Sequence, residues 1–252
     1  MTEPRYKAAV FDLDGTLLDA LGDLADSVNH ILEVRGYPQR TVEEVRMLIG
    51  KGMRYFVSGA LPKNAPFADP GARDDVVDMA VRDMTSWYKA HSENKTRVYK
   101  GVIGMLGRLR EAGVRTAVLS NKPDSAVALI APRYYHGLLD IARGERRGVP
   151  RKPAPDAVLA ILDEWGIAPE DAVYIGDSDT DVQTAENAGT AMIGVSWGYR
   201  GRAFLEANGA PAVCDTPAEL CAMILGTEEE ACGTVKRPNP DTKEQQKERN
   251  RG

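Results

Sequence analysis

The sequence predicts an α/β fold, a parallel sheet with helices on both faces, carrying an inserted all-helical unit. Three observations predict it. Short apolar runs recur along the chain, and each ends in polar or glycine residues. Amphipathic helical stretches separate these runs, and strand–helix–strand alternation of this kind builds a parallel sheet. One long segment, residues 17–97, breaks the alternation and keeps a helical pattern.

The first apolar run, Ala8-Ala9-Val10-Phe11, reads as a buried strand. It ends in Asp12-Leu13-Asp14-Gly15-Thr16. Residues two apart on a strand share a face, so Asp12 and Asp14 form a pair of acids. Gly15 supplies the backbone freedom for a sharp exit. Next, Leu21, Leu24, Ala25, Val28, Ile31 and Leu32 follow helical spacing. So do Val76, Val77, Ala80, Val81 and Met84, with Trp87 beyond. Between these sets, residues 42–61 read as helix interrupted by Gly50-Lys51-Gly52. An insert directly behind the paired acids is placed to act as a lid, with joints near 17–19 and 97–100.

The alternation then resumes. Residues 101–112 carry Val102, Ile103, Leu106 and Leu109 on one helical face and stop at Gly113. The strand 114–119 ends in Ser120-Asn121-Lys122. The segment Arg151-Lys152-Pro153-Ala154-Pro155-Asp156 leads into a helix over 156–165, and Lys152 is extended because a proline follows it. The strand 172–175 ends in Gly176-Asp177-Ser178-Asp179-Thr180-Asp181. Strands over 191–195 and 211–214 complete the series. From about Thr227 the chain turns charged and polar, which predicts a disordered tail. The expected organisation is a Rossmann-like core from 1–16 and 98–226, a helical cap over 17–97 and a tail over 227–252.

Composition narrows the function. A net charge of -5 offers no broad basic field for a nucleic-acid backbone. No apolar run approaches the length of a membrane span, and Met1-Thr2-Glu3-Pro4-Arg5 shows no secretory pattern. The three cysteines, Cys214, Cys221 and Cys232, lack metal-ligand spacing and fit a reducing compartment. The expectation is a cytoplasmic protein with no nucleic-acid, membrane or obligate protein partner.

In open parallel sheets, ligands bind beyond the carboxyl ends of the strands. Four segments bring polar groups to that edge. If Asp12, Asp14, Asp177 and Asp181 converge, each pair of carboxylates ~5 Å apart repels by roughly 3 kcal/mol at an effective dielectric of about 20. A hard divalent cation relieves this, and Mg²⁺ suits carboxylates, water and a substrate phosphate. Lys152 adds a positive charge, and Ser120 and Asn121 add neutral donors. Such a set fits phosphoryl transfer. One Asp can carry the phosphoryl group covalently, and a second Asp two residues on can protonate the leaving oxygen and then activate water.

Taken in order, Asp12-Leu13-Asp14-Gly15-Thr16, Ser120-Asn121, Lys152-Pro153 and Gly176-Asp177-Ser178-Asp179-Thr180-Asp181 resemble the four motifs of the haloacid dehalogenase superfamily. The resemblance covers about residues 7–225, and the helical insert resembles that superfamily's type-1 cap. Within it, Leu48-Ile49-Gly50-Lys51-Gly52, Lys152-Pro153-Ala154-Pro155, Gly194-Val195-Ser196-Trp197-Gly198-Tyr199 and Asp215-Thr216-Pro217-Ala218-Glu219-Leu220 look most like phosphoglycolate phosphatases.

The resemblance implies a role for each matched residue. Asp12 is the expected nucleophile and a Mg²⁺ ligand. Asp14 is the expected general acid/base and a metal ligand through its backbone carbonyl. Ser120, Asn121 and Lys152 hold the phosphoryl group, Asp177 ligates the metal, and Asp181 orients metal-bound water or Lys152 from behind. Asp179 is left without a role. The implied reaction is Mg²⁺-dependent hydrolysis of a small phosphorylated metabolite, best 2-phosphoglycolate, through an aspartyl-phosphate. Sugar phosphomutase, pyrophosphatase or nucleotidase chemistry and a silent binding protein are the alternatives. A substrate carboxylate calls for a cation in the cap, where Arg46, Lys51 and Arg54 are the candidates. The arginine-rich stretch over 143–151 departs from the usual pattern and bears on loop geometry and substrate access.

Overall fold

A computed structural model describes residues 3–63 and 70–227, with side chains over 3–63 and 73–227. The strand β1 (Ala8–Phe11) is buried along its whole length. The insert follows as β2 (Leu18–Asp19), α1 (Leu21–Val34), α2 (Val42–Arg46), α3 (Met53–Ala60), α4 (Pro70–His91) and β3 (Arg97–Val98). Then come α5 (Val102–Glu111), β4 (Arg115–Pro123), α6 (Asp124–Tyr135), β5 (Ile141–Glu145), α7 (Asp156–Trp165) and β6 (Ala172–Gly176). The chain continues through α8 (Asp179–Ala188), β7 (Ala191–Val195), α9 (Arg202–Ala207), β8 (Val213–Cys214) and α10 (Pro217–Leu225).

Six strands form one sheet in the order β5-β4-β1-β6-β7-β8, parallel throughout. The chain runs outward from β1 on one side, then crosses back after β5 to build the other. The carboxyl end of β1 is therefore the point where strand order reverses, the place at which such sheets bind ligands. Helices cover both faces, as the alternation predicts. Ala9 and Phe11 face the cluster containing Val102, Leu106 and Val127, while Ala8 and Val10 face Val158, Ile161 and Val182. This is the strand period of two at work.

The insert is helical and broken where the sequence places the break. Positive φ at Gly50 (109°) and Gly52 (88°) separates α2 from α3. Its two ends meet as an antiparallel ribbon, with Leu18 opposite Val98 and Asp19 opposite Arg97. Asp23, almost fully buried, ties α1 to the returning chain. Its carboxylate accepts from Lys95 N, Thr96 N and Thr96 Oγ1 at 2.7–3.1 Å. These bonds satisfy a charge that would otherwise be costly to bury.

Three elements differ from the sequence reading. β4 continues through Ser120-Asn121-Lys122 to Pro123, so these polar residues belong to the strand's end. β5 runs into the start of the arginine-rich stretch as a half-buried edge strand with no apolar run to announce it. The last strand shrinks from 211–214 to Val213–Cys214. No helix among the described residues is long and apolar enough to cross a membrane. The tail expected over 227–252 lies outside the described residues from 228 onward.

Candidate active site

The end of β1 presents Asp12, and the neighbouring strand ends bring its partners. Lys152, on the loop before α7, donates from Nζ to Asp12 Oδ1 (2.7 Å) and to Asp181 Oδ1 (2.8 Å). Asp181 is fully buried on the first turn of α8. Its second oxygen accepts from Ser178 N (3.1 Å) and Ser178 Oγ (2.6 Å) in a capping box. Asp177, at the end of β6, accepts from Tyr199 N at 2.6 Å. Gly15 and Gly198 lie against it so closely that a Cβ at either would collide with its side chain.

Oxygens of Asp12, Asp177 and Asp181 lie within 4.8 Å of one another, and all three residues are buried. One ammonium, that of Lys152, faces this group. When ionised, three carboxylates against one ammonium leave two negative charges, which one Mg²⁺ would offset. Burial first, and then the neighbouring acids, push the Asp177 carboxyl well above the usual range. Burial likewise raises the Asp12 carboxyl to about 7, with Lys152 pulling it down and Asp181 pushing it up. Hard oxygens, crowding and uncompensated charge fit Mg²⁺.

A consequence for stability follows. A carboxyl raised in the native state binds its proton more tightly there than in the unfolded chain. Its stabilising contribution is full below the unfolded value near 4 and is lost as pH rises through about 7. Mg²⁺ replaces the protons and reverses that loss. At 100 times its Kd, Mg²⁺ is expected to raise Tm by about 5–10 °C at pH 8. The same addition is expected to do less at pH 5. Thermal melts with Mg²⁺ and with a chelator at both pH values check this, and a larger increment at pH 5 would contradict it.

Asp14 stands apart from the three acids. Its two oxygens accept from Lys122 Nζ at 3.0 and 2.8 Å, and the Lys122 side chain is only 3% exposed. Ser120 Oγ accepts from Lys122 N at 3.2 Å. The Asn121 side chain is fully engaged. Its Nδ2 donates to Gly50 O (3.0 Å) and Lys152 O (3.2 Å), and its Oδ1 accepts from Lys152 N (3.0 Å). That amide joins the core to the insert and fixes the backbone at Lys152, which leaves it no donor for a phosphate.

A chamber of about 50 Å³ adjoins Asp12 and Asp14, walled by Ser120, Asn121 and Lys122 from the core. Leu24, Ile49, Met53 and Phe56 wall it from the insert. The three cap cations singled out from sequence are not in that wall. Lys51 pairs with Asp179 at 3.0 Å, Arg54 with Asp74 and Asp78, and Arg46 with Glu43 at 3.3 Å. Lys51 and Arg54 instead line a separate pocket with Arg151, Lys152 and Asp179, and nearby acids pair with all three cations.

The sequence reading missed two contributors. Lys122 was visible as the residue after Ser120-Asn121 at a strand end. The loop after β7 was quoted for its resemblance but given no task. It has several. Trp197 Nε1 donates to Thr16 O (3.0 Å), and Tyr199 Oη accepts from Ala20 N (3.1 Å). Arg200 reaches the carbonyls of Arg46, Met47 and Ile49 at 2.7–3.1 Å, capping the end of α2.

A site of this kind works on phosphate esters, because a hard cation and an ammonium together meet a dianionic phosphoryl group. The class is that of Mg²⁺-dependent phosphatases. Residues 9–195 match the haloacid dehalogenase-like hydrolases, and the chain belongs to that family, in its phosphoglycolate phosphatase-like branch. It is 33% identical over 233 residues to the phosphoglycolate phosphatase of Pseudomonas putida, covering 92% of this chain and 83% of the relative. It is 33% identical to that of Xanthomonas campestris pv. campestris, covering 77% and 85%. A solved structure of a candidate phosphoglycolate phosphatase from Lactobacillus delbrueckii subsp. bulgaricus superposes with a TM-score of 0.80 at 34% identity. It spans 88% of this chain and 99% of that one.

Proposed function

We propose that the protein hydrolyses a short phosphomonoester, best 2-phosphoglycolate, through an aspartyl-phosphate on Asp12. The observation that carries this reading is the small chamber whose cap side chains are apolar. The side chains of Leu24, Ile49, Met53 and Phe56 offer no donors for the hydroxyls of a sugar, and the cap adds polar atoms there only from the backbone of Gly50 and Gly52, which weighs against a sugar phosphomutase. Relatives named phosphoglycolate phosphatase add support.

In this reading Asp12 attacks phosphorus in line and accepts the phosphoryl group. Asp14 gives a proton to the leaving oxygen and afterwards takes one from the hydrolytic water. Lys152 and Ser120 hold the phosphoryl oxygens. Asp181, its oxygens spent on Lys152 and Ser178, positions the lysine. Asp177, with one hydrogen bond from Tyr199 N, keeps lone pairs for Mg²⁺ together with Asp12. The cation, when bound, screens the charge on the attacking carboxylate and on the phosphoryl oxygens. Residues 1–16 and 98–226 serve as the catalytic core, 17–97 as a substrate-selecting cap, and the working compartment is the cytoplasm.

A panel of phosphomonoesters with and without Mg²⁺ tests this. Phosphate release should require the cation and be fastest with 2-phosphoglycolate. Conversion of a sugar 1-phosphate to its 6-phosphate with little phosphate release would establish the mutase instead.

A further inference from the structure

Among the described residues, Lys122 is the one cationic side chain in the chamber wall. Other cations around the site are committed: Lys152 to Asp12 and Asp181, Lys51 to Asp179, and Arg54 to Asp74 and Asp78. We propose that Lys122 and Tyr88 form the subsite for the substrate's carboxylate tail, a specificity element shared between core and cap. This rests on the phosphomonoester reading above and names the part of the substrate it left open.

Four observations carry the assignment. An ammonium has three N–H donors, and Asp14 takes two of those on Lys122. Tyr88, from α4 of the insert, lays its ring 4.8 Å from the Lys122 Nζ. Its hydroxyl lies buried beside the Lys122 ammonium with no acceptor for its own proton, a costly state unless something meets it. Finally, Lys122 and Tyr88 both line a cavity of about 220 Å³ between α4 and α6. Lys122 also walls the catalytic chamber, so it stands where the two spaces meet. A carboxylate reaching this junction finds a positive charge and an unused hydroxyl donor.

The spacing also limits the tail. Asp14 protonates the ester oxygen in the proposed reaction, and Lys122 lies one hydrogen bond from Asp14. The anionic group must therefore sit close to the ester oxygen. In the phosphate of a 2-hydroxy acid, the carboxylate carbon is two bonds from that oxygen. Longer spacers would carry the charge past Lys122.

The test compares 2-phosphoglycolate with ethyl phosphate, which has a neutral tail, in the parent, Lys122→Met and Tyr88→Phe proteins with Mg²⁺. The readout is the ratio of kcat/KM for the two substrates, so that any loss through Asp14 cancels. The parent should favour 2-phosphoglycolate. Lys122→Met should cut the ratio about tenfold to a hundredfold, mainly through KM for 2-phosphoglycolate. Tyr88→Phe, which keeps the ring and removes one hydroxyl, should cut it about threefold to tenfold and stays informative if Lys122→Met does not fold. A parent that prefers 2-phosphoglycolate with variants that keep the full preference overturns the subsite alone. A parent with no preference overturns both the subsite and the substrate reading.

Discussion

Asp12→Asn protein is expected to lose Mg²⁺-dependent phosphate release by on the order of 10⁴-fold or more. The amide has the shape of the carboxylate but is a far poorer nucleophile. Its effect on stability should run the other way. Asp12 is one of three buried acids facing a single ammonium, and burial raises its carboxyl to about 7. At neutral pH the metal-free native state therefore carries a crowded charge that asparagine removes. The metal-free variant should melt no lower than the metal-free parent, and its Mg²⁺-induced gain should shrink. Phosphate release assays and melts on the same preparations read both effects. Retention of turnover within tenfold of the parent would falsify the nucleophile assignment.

Lys152→Met is the second large effect, and it separates charge balance from catalysis. Lys152 Nζ bridges Asp12 and Asp181 at 2.7 and 2.8 Å, and its side chain is 4% exposed. Burial opposes its charge, but Asp12 and Asp181 more than offset this and hold the ammonium well above its usual range. Removing one partner of a buried pair costs about 3–5 kcal/mol. Metal-free Lys152→Met should therefore melt well below the parent. Three carboxylates with no ammonium attract a dication more strongly, so Mg²⁺ should restore more of the melting temperature than it adds to the parent. Turnover should stay low, by about 10²–10³-fold, because the phosphoryl oxygens have lost a positive contact. A variant with a parental Mg²⁺ increment would show that Lys152 does not govern the charge of the acid cluster.

Much of the core was legible because its signals are local. The all-buried Ala8-Ala9-Val10-Phe11 run, the acids after it and Asp177 after β6 each combine a strand pattern with an abrupt change to polar residues. A parallel sheet then places them at one edge. β5 was not legible, because Ile141-Ala142-Arg143-Gly144-Glu145 is an edge strand with little to bury and so has no apolar pattern. The pairing of the cap cations was hidden for a related reason. Periodicity assigns a residue to a helix but does not say which acid across a fold will claim it, as Asp74 and Asp78 claim Arg54. Arg200 was invisible for the opposite reason: its contacts are to backbone carbonyls about 150 positions away, and those leave no mark on sequence. Lys122 was in view beside Asn121, but its importance depends on Asp14 and Tyr88, which no local reading brings to it.

The turn after Asp14 has a mechanical meaning. Leu13 O accepts from Thr16 N, Leu17 N and Leu18 N, and Gly15 N donates to Leu18 O. Trp197 then holds Thr16, and Tyr199 holds Ala20. The chain is thus riveted to the sheet past the paired acids and through the first strand of the ribbon. The joint expected near 17–19 is therefore tied down by hydrogen bonds on both sides. The ribbon thus holds the paired acids in one alignment whatever the helices above it do.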